Sequence, residues 1–65
     1  MNVKLSQVRE GSIVVVYNTG NGYVRGTVIE TLTDVKNGIP GIDYELDNGQ
    51  GYWAYIDQIQ SVVQY

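Results

Sequence analysis

With 65 residues, the chain has room for one domain and one small core, because a domain this short buries only about 60% of the surface its unfolded form exposes. Cys and His are both absent, which excludes a disulfide framework, a thiolate zinc site and imidazole acid–base chemistry. The formal charge of −3 is unevenly spread, with four bases against three acids in residues 1–36 and, from Asn37 onward, Asp43, Glu45, Asp47 and Asp57 without any base.

The first signal along the chain is the pair Leu5 and Val8, which predicts a short helical turn or irregular lead-in pinned to the core. Ile13 to Tyr17 is a β-branched run ending in an aromatic, hence a strand. Asn18 to Gly22 follows as a hairpin loop whose Asn and Gly residues supply positive φ. Tyr23 to Leu32 reads as the second strand, with Val24, Gly26 and Val28 on one face and Tyr23, Arg25, Thr27 and Ile29 on the other. Apolar residues at both parities predict a bend or bulge near Gly26. Thr33 to Gly41 contains Asn37-Gly38 and the only Pro, and is expected to be a loop and the most mobile segment, with at most a short strand extension at its start.

Two further strands, Ile42 to Asp47 and Gly51 to Ile56, are expected around an Asn48-Gly49-Gln50 turn. Alternation puts Ile42, Tyr44 and Leu46 on one face and Asp43, Glu45 and Asp47 on the other. Asp57 to Ile59 then makes one helical turn and Ser61 to Gln64 a fifth short strand. The expected inner side chains of this half are Ile42, Tyr44, Leu46, Ala54, Ile56 and Ile59. Five short strands with glycine-rich turns predict an all-β, partly open five-stranded barrel with one helical turn before the last strand, filling residues 1–65.

The segment VREGSIVVVYNTGNGYVRGTVIE resembles a KOW-type pattern, with Val8, Gly11, alternating Val14 and Val16, a glycine turn, and Gly26 followed by Val28. IDYELDNGQGYWAYIDQIQSVV is similar to the last hairpin, one-turn helix and closing strand of Tudor and SH3 domains. The chain thus resembles the SH3-like barrel superfamily at the level of the fold. The resemblance implies binding rather than catalysis: RNA or ribosomal proteins for KOW modules, and methylated side chains in aromatic cages for Tudor domains. The loop that would carry KOW-type basic residues, Asn18 to Gly22, has no charge.

Two candidate surfaces emerge. Asp43, Glu45 and Asp47 place carboxylates nearly 7 Å apart along a strand, a spacing suited to a basic partner and too wide for several to share one calcium ion. No metal or cofactor is expected. Tyr17, Tyr23, Trp53 and Tyr55 are candidates for an aromatic platform. The inward preference of Ala54 and Ile56 turns Trp53 and Tyr55 outward, next to the acids, for stacking or cation–π contact. The competing reading buries Trp53 in the core, where Trp is commonly found; alternation alone leaves both open.

No activated nucleophile or base is identifiable, so an enzyme is not expected. The first expectation is a protein-interaction module with a protein or peptide partner, basic in character, such as a small accessory or inhibitor protein of a bacterium or phage. The alternatives are weak RNA binding, acidic mimicry of nucleic acid, or a structural homo-oligomer built through Ile13 to Val16 or the uncharged end Ser61 to Tyr65. No apolar run approaches the length of a signal peptide or membrane span, which leads to a cytoplasmic expectation.

Overall fold

The computed structural model of the protein describes residues 3–65. Five antiparallel strands, β1 (Ile13–Asn18), β2 (Gly22–Lys36), β3 (Ile39–Glu45), β4 (Gly51–Tyr55) and β5 (Ile59–Gln64), form one sheet in the order β4-β3-β2-β1-β5. The sheet is not closed, and β4 and β5 are its edges. Single 3-10 turns occupy Leu5–Gln7 and Ile56–Gln58, the second beginning one residue earlier than the sequence suggests. The all-β expectation and the helical turn before the last strand both hold.

The core is the inward row of each strand: Val14 and Val16 from β1, Val28 from β2, Ile42 and Tyr44 from β3, Ala54 from β4 and Ile59 from β5. Val8 seals it, with Leu5, Leu46 and Ile56 packed at its margin. Two polar groups reach this interior with partners. Asn18 Nδ2 donates to the Tyr44 hydroxyl at 3.2 Å. The buried Ser12 Oγ accepts from Arg9 N at 2.9 Å and donates to the Tyr65 backbone oxygen at 3.3 Å, so neither group is left unpaired on desolvation.

Strand β2 shapes the molecule. Its 15 residues would span about 50 Å if straight, whereas the longest dimension of the protein is 28 Å. The strand must therefore coil, carrying the sheet around the core. The bend expected near Gly26 lies instead at Ile29, where the register steps from Val28↔Tyr44 to Glu30↔Asp43 and leaves Ile29 as the extra residue of a bulge. Gly26 serves packing: a Cβ there would sit 2.7 Å from Tyr44 Cδ2 and 3.2 Å from the Glu45 carbonyl oxygen. Its bare backbone makes room for the largest buried side chain.

The segment Thr33 to Gly41 also departs from expectation. It is a hairpin, with β2 running to Lys36 and β3 starting at Ile39. Asn37 and Gly38 turn the chain at φ 58° and 75°, the double left-handed geometry that matches strand twist. Gly38 N donates to Asp34 Oδ1 at 2.8 Å. β3 ends at Glu45, so Asp47 belongs to the following turn, where Gly49 takes φ 88° and its N–H bonds the Leu46 carbonyl at 2.9 Å. Ile56 leaves β4 for the 3-10 turn, and β5 begins at Ile59 rather than Ser61.

Candidate functional site

Parity along β3 and β4 turns Ile42, Tyr44 and Ala54 inward and sends Asp43, Glu45, Trp53 and Tyr55 to the outer face. Trp53 is 46% exposed while its neighbour Ala54 is 1% exposed, which decides between the two readings of Trp53: the small residue enters the core and the indole stays outside. Tyr55 is half-buried and meets Trp53 edge-on, with ring centroids 5.2 Å apart and planes at 85°. Such pairs hold each other's rotamers and add about 0.5–1.5 kcal/mol beyond area burial.

The register places Asp43 directly across from Trp53, and Glu45 across from Gly51. Gly51 has no atom within 4 Å of a would-be Cβ except the Tyr44 carbonyl oxygen at 4.0 Å. The position beside Trp53 is therefore open. An open groove of about 390 Å³ results, lined by Ile29, Asp43, Tyr44, Glu45, Gly51, Tyr52 and Trp53. That volume lies within the range of ligand sites, roughly 300–1,000 Å³. One wall is aromatic, the other is Ile29, and the polar groups between them are carboxylates.

Four contributors escaped the sequence reading. The bulge makes Ile29 a groove wall and rotates Glu30 outward, directly across from Asp43; uninterrupted alternation would have grouped Glu30 with Val28. Gly51 matters for the side chain it lacks. Lys36 holds its Nζ 5.7 Å from the Trp53 ring centroid, a contact that exists because Thr33 to Gly41 folds as a hairpin. The Asn37-Gly38 pair was the available signal for that hairpin.

The predicted residues do not form one surface. Tyr17 and Tyr23 make their own edge-on pair at 5.3 Å and 67°, on β1 and β2. Tyr23 lies toward the opposite end of β2 from Glu30, roughly 20 Å away by strand rise, and two strands separate β4 from β1. Asp47 stays in the turn beyond Glu45. Of the seven candidates, Asp43, Glu45, Trp53 and Tyr55 come together. Among the described residues no three Asp, Glu, His or Cys side chains gather closely enough to hold a metal ion.

The chain matches no protein-family model, and no curated protein or solved structure is significantly similar to it. Its chemistry rests on its own residues.

Proposed function

We propose that the chain is a non-enzymatic SH3-like small barrel that binds a basic segment of another protein on the outer face of β3 and β4. The carrying observation is the groove between Trp53 and Ile29, whose charged lining is acidic only, Asp43 and Glu45. An exposed indole supplies stacking and cation–π attraction worth about 0.5–2 kcal/mol per contact, and the carboxylates steer a basic partner and set its register. The strand order, the coiled β2 and the 3-10 turn leading into β5 support the barrel assignment. A cytoplasmic accessory or inhibitor protein of bacterial or phage origin fits this size and chemistry. Among the described residues no helix is long and apolar enough to cross a membrane.

The test is an amide chemical-shift titration with a short arginine- and lysine-rich peptide. Perturbations centred on Asp43, Gly51 and Trp53 are expected; perturbations centred on Tyr17 and Tyr23 would overturn the proposal. The alternative reading, weak RNA binding, is favoured by one observation: Tyr23, 62% exposed, shares the outer row of β2 with Arg25, an aromatic and a cation of the kind that hold single strands.

A further inference from the structure

The chain itself places a cation against Trp53. Lys36 is the only base after Arg25 in the sequence, and its Nζ lies 5.7 Å from the indole centroid, just inside the limit of about 6 Å for cation–π attraction. The backbone that brings it there is held firmly. Asn37 and Gly38 fix the turn, and Asp34 Oδ1 accepts from Gly38 N at 2.8 Å. Val35 seats against Gly41, where a Cβ would collide with it and with the Ala54 carbonyl oxygen. The Lys36 side chain itself is exposed.

Two acids of the outer face stand opposite each other. Glu30 faces Asp43 directly across the β2–β3 ladder, and like charges so paired are destabilising. A cation entering between Trp53 and these carboxylates relieves that repulsion. Lys36 sits at the outer limit of ring contact, 5.7 Å from the Trp53 centroid.

We propose that Lys36 is an internal stand-in for the ligand: the groove takes an arginine side chain from a basic segment of another protein, and Lys36 leaves Trp53 as the arginine arrives. This rests on the binding function proposed above. Arginine is favoured over lysine because its guanidinium is flat, weakly hydrated and forked, so it stacks on an indole while pairing with a carboxylate. A second ammonium gains little over the one already present. Ile29 provides apolar surface for the stem, and Gly51 leaves the floor clear.

The experiment uses an acetylated peptide of alternating arginine and glycine, with lysine and citrulline counterparts. Each is titrated into wild type and Lys36→Met while the Gly51 amide and the Lys36 ε-methylene protons are followed by NMR. In the free protein the ε protons are expected upfield from the indole ring current, moving to the free-lysine position at saturation. Lys36→Met is expected to bind the arginine peptide about two- to fivefold more tightly, with citrulline leaving the Gly51 amide unmoved. Equal affinity in the two proteins, or Lys36 protons that stay put at saturation, would overturn the stand-in alone. A lysine peptide that binds as well as the arginine peptide would overturn the preference for arginine. Failure of every peptide to shift Gly51 in either protein would overturn both the stand-in and the binding face.

Discussion

Replacing Gly51 with Val separates folding from function at one position. Gly51 opens β4 on the outer face, and an added Cβ meets nothing closer than the Tyr44 carbonyl oxygen at 4.0 Å. Its φ lies outside the left-handed range, so a β-branched residue fits the backbone as it stands. Glycine in a strand loses more entropy on folding than other residues and packs nothing, whereas valine prefers this conformation; the gain is about 0.5–1 kcal/mol. With an unfolding entropy of about 2 cal/mol/K per residue, that raises Tm by roughly 4–7 °C for a chain of this length. The same isopropyl group occupies the groove floor between Glu45 and Trp53. Gly51→Val is therefore expected to melt higher by circular dichroism and to lose binding of the arginine peptide at least tenfold. A lower Tm would show that the backbone needs glycine here. Undiminished binding would place the site elsewhere.

Gly26→Ala is expected to cost about 1–3 kcal/mol by overpacking, because its Cβ would stand 2.7 Å from Tyr44 Cδ2. Urea denaturation checks this, and a loss under 0.5 kcal/mol would refute the packing role on the scale of such overpacking costs. Glu30→Gln removes the repulsion across from Asp43, stabilising by about 0.3–0.7 kcal/mol in dilute buffer and by much less in 1 M salt; a gain that does not change with salt would refute the electrostatic cause. Trp53 is the sole Trp and is 46% exposed, so its emission should be red-shifted and readily quenched by iodide or acrylamide, and a blue, protected spectrum would contradict its placement. Val63 is 51% exposed in the edge strand β5, which carries no charged residue; self-association through that edge is expected to give a dimer in sedimentation at high micromolar concentration, and a monomer there would refute it.

Local chemistry in the sequence determined the strands and their inner faces. β-Branched runs, Asn-Gly turns and period-two alternation act between near neighbours, so Ile42, Tyr44, Ala54 and Ile59 are legible as core without any tertiary information, whereas Ile13 to Val16 are apolar at both parities and only the structure turns Val14 and Val16 inward. The outward direction of Trp53 was legible too, because Ala54 and Ile56 bias the alternation, although burial in the core remained a competing choice. The Asn37-Gly38 hairpin was written in the sequence and was obscured by Pro40, which sits in β3 beside the turn.

Tertiary structure alone decided which outer residues meet. A bulge at Ile29 moves Glu30 to Leu32 to the opposite parity, so the partnership of Glu30 with Asp43 depends on inter-strand register rather than on local preference. A second register shift, between Leu32 and Lys36, precedes the turn that brings Lys36 to Trp53, while Tyr17 and Tyr23 pair with each other elsewhere. The 28 Å limit on a 15-residue strand forces the coiling that sets this register. That constraint comes from wrapping one small core, and no window of the sequence contains it.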